Sequence, residues 1–261
     1  MTPLSDSHAH LGTRDFQSDY HQVIERAKQA EVGLIANCTD TLDDFDLTLK
    51  IKKEYPDLCL CCLGLHPDSI PQGEAAFREG LARMEADVDL MDAVGEVGLD
   101  YHYGVGEENH RIQRYILETM CDFASDHHLP IVIHCREAGE DLLRILESKK
   151  LEKIYLHCYE EGLEFAENLL ARGYDCIFGF NGIITFKNAE SLRQTAAKLP
   201  LERIVTETDS PCLAPVPFRG RRNEPAYVSQ VAEKLAQIRG VDIEEIRRLT
   251  MASARRFYGR G

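Results

Sequence analysis

What most constrains the fold of this chain is an alternation repeated eight times: a short apolar run, then a stretch with helical amphipathic spacing. The runs are Leu4–Ser7, Val32–Cys38, Leu58–Gly64, Asp92–Glu96, Pro130–His134, Lys153–His157, Cys176–Phe180 and Arg203–Glu207. Helical patterns occupy Tyr20–Ala30, Leu42–Glu54, Glu74–Ala86, Ile112–His127, Asp141–Ser148, Leu163–Ala171, Ala189–Lys198, Ala226–Arg239 and Ile243–Tyr258. Repeated strand–helix units predict a parallel sheet. Eight units in 261 residues predict an α/β fold that closes into a (β/α)8 TIM barrel, a single domain over residues 1–261. An open doubly wound sheet is the alternative.

Candidate metal ligands favour the closed form. His8 and His10, in Ser5-Asp6-Ser7-His8-Ala9-His10, point to the same side of an extended strand and can reach one ion. Glu96, His134, His157 and Asp209 each follow or close an apolar run. Ligand candidates therefore sit at the C-terminal ends of the first, fourth, fifth, sixth and eighth strands. In a barrel these ends converge on one mouth; in an open sheet they spread too widely to share an ion. With only nitrogen and oxygen donors, the expected cofactors are two divalent ions, Zn, Mg or Mn. The simplest division gives one ion to His8, His10 and Asp209 and the other to His134 and His157. Glu96 and a water or hydroxide would lie between them. Metal binding lowers the pKa of such a water to roughly 7. Glu96 and Asp209 are thus the expected catalytic residues, with Asp209 also able to take the proton. His21, His110, His127 and His128 fall in or beside helical patterns and read as surface residues.

Charge and cysteines bound the setting. The net charge of -14 argues against a large non-specific nucleic-acid surface but leaves room for a nuclease whose metals neutralise phosphate locally. The nine scattered cysteines suggest no disulfide framework, and Cys59, Cys61 and Cys62 read as buried small hydrophobes. With no basic-then-apolar leader and no apolar stretch long enough to span a bilayer, the expectation is a cytoplasmic chain, with no membrane and no obligate protein partner.

The chain resembles the TatD family of metal-dependent deoxyribonucleases, within the amidohydrolase-like metal hydrolases. The likeness runs through DSHAHL, GLHP at Gly64–Pro67, VGEVGLDY at Val94–Tyr101, LPIVIHCREA at Leu129–Ala138, the His157-Cys158 pair, GFNGIITFKNA at Gly179–Ala189, ETDSPCLAP at Glu207–Pro215 and RGRRNEP at Arg219–Pro225. It implies a TIM barrel, divalent metals and hydrolysis of DNA phosphodiesters, often as an exonuclease from the 3′ end. The family's ligand positions match His8, His10, Glu96, His134, His157 and Asp209. The chain departs from the family pattern at Asp68 after GLHP, at Tyr159-Glu160-Glu161 after the His-Cys pair, and at Cys212. Two of these changes add negative charge near the mouth.

The expected activity is therefore cleavage of single-stranded or frayed DNA ends, with DNA contacted only at the site. The rival is a small-molecule amidohydrolase or lactonase on the same centre; a non-catalytic barrel is weighed against by retention of all six ligands. His66, Arg136 and Lys187 are the candidate substrate-binding residues, with Arg221 or Arg222 as further phosphate contacts. Tyr101 and Tyr103 either stack on a base or pack their loop. Glu207 is placed behind Asp209 as a proton acceptor.

Overall fold

The computed structural model describes residues 1–67 and 73–260. Eight strands run in chain order: β1 (Leu4–Ala9), β2 (Val32–Cys38), β3 (Cys59–Leu63), β4 (Ala93–Asp100), β5 (Ile131–Arg136), β6 (Ile154–Leu156), β7 (Cys176–Phe180) and β8 (Ile204–Thr206). Each pairs in parallel with the next. The ends meet at an Ala9–Ser210 bridge, where the Asp209 amide donates to the His8 carbonyl at 2.9 Å and the His10 amide to the Ser210 carbonyl at 2.8 Å. The sheet is thus a nearly closed (β/α)8 barrel, and the open-sheet alternative is excluded.

The helices are α1 (Tyr20–Gln29), α2 (Phe45–Glu54), α3 (Gly73–Asp87), α4 (Glu107–Asp126), α5 (Gly139–Ser148), α6 (Gly162–Ala171), α7 (Glu190–Lys198), α8 (Val228–Arg239) and α9 (Ile243–Tyr258). Two of the expected helices begin as short 3-10 turns, Leu42–Asp44 and Pro225–Tyr227. Asp68 lies outside the described residues.

The largest departure among the strands is β4. It does not stop at Glu96 but continues to Asp100, which carries Glu96 mid-strand. Glycine makes this possible. A Cβ on Gly98 would overlap the His134 carbonyl of β5, so only glycine lets the two strands approach this closely.

Helix α9 closes the N-terminal end of the barrel. Asp242 caps it, accepting the Glu244 amide at 2.8 Å, and Gly259 ends it in the left-handed conformation. Ser253 donates to the Glu202 carbonyl before β8, and Lys153, before β6, donates to the Arg256 and Phe257 carbonyls. Its Met251, Phe257 and Tyr258 pack with the barrel interior: Leu34, Ala36 and Cys38 of β2, Leu60 and Cys62 of β3, Val132, Tyr155, Ile177 and Val205. Burial on both faces is what a parallel barrel strand requires. With one end plugged, only the C-terminal face is open for a site. All nine cysteines are free thiols, and no described helix is long and apolar enough to cross a membrane.

Candidate metal centre

The six expected ligands meet at the C-terminal mouth. His8 lies in β1 and His10 one residue beyond it, and their Nε2 atoms are 3.0 Å apart. Glu96 of β4 is 2% exposed and sits at the centre. Its Oε2 faces His8 Nε2 at 2.9 Å and His10 Nε2 at 3.3 Å. Its Oε1 faces His157 Nε2 at 2.5 Å, His134 Nδ1 at 3.1 Å and His66 Nε2 at 3.3 Å. Asp209 Oδ1 lies 3.3 Å from His10 Nε2 and 3.9 Å from His8 Nε2. The two oxygens of one carboxylate thus divide the imidazoles, with His8 and His10 toward one and His134, His157 and His66 toward the other.

The donor set fits a divalent cation. Ligand atoms around a tetrahedral ion at 2.0–2.1 Å lie about 3.3 Å apart. The donors around His8 and His10 are spaced between 2.9 and 3.9 Å. Neighbouring groups orient the rings. His10 Nδ1 donates to the Cys38 carbonyl at 3.1 Å, with Asp40 Oδ1 at 3.3 Å, which leaves Nε2 free to ligate. His134 instead gives its Nε2 proton to Asp100 at 3.2 Å and turns Nδ1 inward. His8 and His157 stack with centroids 4.0 Å apart, and the Nδ1 of each is buried without a partner among the described residues.

Electrostatics differ sharply within this cluster. Burial and the neighbouring His157 push His8 down to about 3, so its ring is neutral at ordinary pH, the form a metal requires. Burial opposes protonation of His134 too, but Asp100 and Glu96 outweigh it and raise that ring to about 10. Asp100 is itself lowered to about 2, against burial, by hydrogen bonds from His134 and the Tyr103 amide. Burial and the charge of Asp209 push Glu207 well above the usual carboxylate range.

Glu207 does not face the metal cluster as a base. The Tyr155 hydroxyl and the Cys158 amide, the latter at 2.7 Å, both donate to it, and Asn181 Nδ2 is 3.3 Å away. It ties the ends of β6, β7 and β8 together. Asp6 does similar work, accepting from the amide and the hydroxyl of Thr208, both at 2.7 Å, beside Asp209. Asp209 and Cys158 are non-glycine residues in the left-handed region, with φ of 57° and 44°. Such strain gathers where the surrounding structure holds functional groups in place.

The remaining candidates separate. His66 joins the centre, with its ring edge-on to His134 at 4.6 Å. Arg136 forms no ion pair among the described residues; its guanidinium lies over Tyr103 at 5.0 Å. Lys187 is an exposed residue of the β7–α7 loop, outside the imidazole–carboxylate cluster. Arg222 is not available for phosphate, because Asp19 holds it at 2.6 Å. Tyr101 packs its loop: it donates to Asp141 at 2.6 Å and stacks on His110 at 3.7 Å. Of the two extra carboxylates after β6, Glu161 is turned aside to accept the Glu137 amide at 3.0 Å, and Glu160 stays exposed. Asp40 and Asp100 are the site residues that the sequence reading missed. Both follow or end a strand in the fold, but Asp100 lies four residues beyond the apolar run that ends at Glu96.

Comparison with known proteins places the chain. A family model described as TatD related DNase matches residues 5–259. The chain is 35% identical over 260 residues to the Bacillus subtilis (strain 168) protein "Uncharacterized metal-dependent hydrolase YabD", the match covering 98% of each chain. It is 36% identical over 260 residues to the Escherichia coli (strain K12) protein "Uncharacterized metal-dependent hydrolase YcfH", covering 98% of this chain and 95% of that one. The crystal structure of YjjV, a TatD homolog from Escherichia coli K12, superposes with a TM-score of 0.88 at 26% identity over 98% of both chains.

Proposed function

The chain belongs to the TatD-related DNase family of metal-dependent hydrolases, and we propose that it is a deoxyribonuclease dependent on two divalent ions, Zn, Mg or Mn. We infer a 3′–5′ exonuclease that removes nucleotides from single-stranded or frayed DNA ends. The observation that carries this reading is the split of Glu96, one oxygen toward His8 and His10 and the other toward His134 and His157. One ion would be held by His8, His10 and Asp209, the second by His134 and His157, with Glu96 shared between them. When bound, the ions supply Lewis acidity, which activates water at neutral pH and neutralises charge on phosphoryl oxygens.

The protein's own groups supply the rest. Asp209 is kept ionised by its hydrogen bond to His10, against the effect of burial, so its carboxylate can receive a proton. Arg136, free of carboxylate partners among the described residues, and His66 face the phosphate, and Lys187 takes the strand further out. A net charge of -14 repels polyanions at long range. DNA contact is therefore local to the mouth, with weak binding to long duplex and a shallow salt dependence. The protein works in the cytoplasm without an obligate protein partner.

The test is a labelled oligonucleotide time course with chelated protein and each divalent ion restored in turn. It runs beside a panel of lactones, amides and small phosphodiesters, with Glu96→Gln protein as the contamination control. Metal-restored shortening of single strands from the 3′ end is the expected result. Turnover of a lactone or amide, with no oligonucleotide cleaved under any metal, would overturn the nuclease reading.

A further inference from the structure

A cavity of about 420 Å³ opens on the loops that follow β6, β7 and β8. That size lies in the range of small-molecule sites. Chain connectivity keeps it close to the candidate metal centre. Glu160, in its lining, is three residues beyond His157, which limits their Cα separation to about 11 Å.

The lining combines an aromatic face with uncommitted positive charge. Phe186, Lys187 and Arg219 all contribute to it. The guanidinium carbon of Arg219 sits 3.8 Å from the centre of the Phe186 ring, so the cation lies over the face of that ring. The loop that carries the ring is tied to α7. Arg193 of α7 donates to the Ile184 carbonyl at 3.3 Å, the Phe186 carbonyl at 2.7 Å and the Lys187 carbonyl at 3.3 Å. Neighbouring arginines are neutralised, Arg193 by Glu190 and Arg222 by Asp19. Lys187 and Arg219 form no ion pair among the described residues. Two cations without a carboxylate partner thus stand beside an aromatic ring in a chain of net charge -14.

We propose that this cavity is a nucleotide subsite that takes one nucleotide next to the pair joined by the bond cut at the metal centre. The proposal rests on the nuclease reading. The base stacks on the Arg219–Phe186 pair, and its phosphate meets Lys187 and the edge of Arg219. Stacking of this kind is tolerant of base identity because every base presents a π-face. The carboxylate of Glu160 repels additional phosphates, so the cavity suits a single nucleotide at a chain end more than a continuous backbone.

The experiment compares kcat/KM for single-stranded two-nucleotide and four-nucleotide substrates, using metal-loaded wild-type, Phe186→Leu and Arg219→Gln proteins. The wild type is expected to favour the longer substrate about tenfold, and each variant to bring that ratio toward one. A second measurement titrates chelated protein with dAMP and follows binding by NMR. Saturable binding that weakens about tenfold in both variants is expected. Oligonucleotide cleavage whose length preference survives both substitutions overturns the subsite and leaves the nuclease intact. Absence of cleavage with any divalent ion, together with dAMP binding that still depends on Phe186 and Arg219, overturns the nuclease reading and retains the nucleotide site. Absence of both overturns both.

Discussion

The two ends of this barrel are built from similar strands but obey opposite rules. At the N-terminal end, charges are matched and apolar groups are covered. Lys52 pairs with Asp92 at 2.7 Å, Arg260 reaches the same carboxylate, Arg247 pairs with Glu31 at 2.7 Å, and α9 seals the interior with Phe257 and Tyr258. At the C-terminal end, five imidazoles crowd one buried carboxylate, and the Nδ1 atoms of His8 and His157 have no partner among the described residues. An unsatisfied buried polar atom costs about 1–3 kcal/mol, so such an end persists only because the rest of the fold supports it. One end is organised for stability, the other for chemistry, as barrel enzymes generally divide the labour.

The largest expected effect tests the C-terminal end. Removal of metal by chelator should abolish hydrolysis, and replacement should restore it. Glu96→Gln keeps the shape but loses the shared charge, and should lower kcat/KM by about 10³-fold or more, since several kcal/mol of transition-state stabilisation are at stake. Circular dichroism should show the variant folded. Asp209→Asn should follow, with a loss of about 10²- to 10³-fold. Asparagine tolerates the left-handed backbone at this position, so the variant separates loss of the carboxylate from loss of the loop. Near wild-type turnover in either folded protein would break the assignment of chemistry to this end.

The complementary change is Phe257→Ala in the plug. The ring is 2% exposed and meets Tyr155 edge-on at 5.6 Å. Its loss should cost about 3–5 kcal/mol. Thermal melting should then occur about 10 °C lower, while kcat of the folded fraction stays within about twofold. A large fall in kcat at temperatures where the variant is fully folded would mean that the two ends are coupled, and the division would not hold.

How far this division can be read from the sequence depends on the range of the interactions. The strand–helix alternation gives the barrel, and β2, β7 and α9 begin and end where their patterns do, because periodicity and caps are local. The six candidate ligands are legible because the C-terminal ends of barrel strands must face one mouth. Asp100 is missed because glycines interrupt the apolar pattern of β4, so the pattern stops at Glu96 while the strand continues. Asp40 is missed because nothing in its neighbourhood announces that His10 lies across from it. The fate of the arginines is illegible for the same reason. Arg222 is taken by Asp19, 203 residues away in sequence. An amphipathic pattern predicts that α9 buries one face, but not that it lies across the bottom of the barrel.

The smallest expected effect separates two uses of the same backbone conformation. His128, like Asp209, is a non-glycine residue in the left-handed region, with φ of 54°. Its cause is different. His128 follows the end of α4, where the Leu129 amide donates to the Ala124 carbonyl at 2.9 Å and the His128 amide to the Ser125 carbonyl at 3.3 Å. This is the paired pattern of a helix stop that glycine fills best. The side chain is exposed and, among the described residues, pairs only with exposed Glu152, a contact worth little. His128→Gly should therefore relieve about 1 kcal/mol of strain, partly offset by the greater freedom of glycine in the unfolded chain. The net gain should be about 0.5 kcal/mol, a rise of roughly 1–2 °C in Tm, with kcat unchanged. Asp209→Gly relieves the same kind of strain and should also melt no lower than the wild type, yet it should lose hydrolysis. If Asp209→Gly instead destabilised the protein by more than about 2 kcal/mol, the strained residue at the mouth would be a structural prop and not a holder of chemistry, and the contrast between the two ends would fail at the backbone.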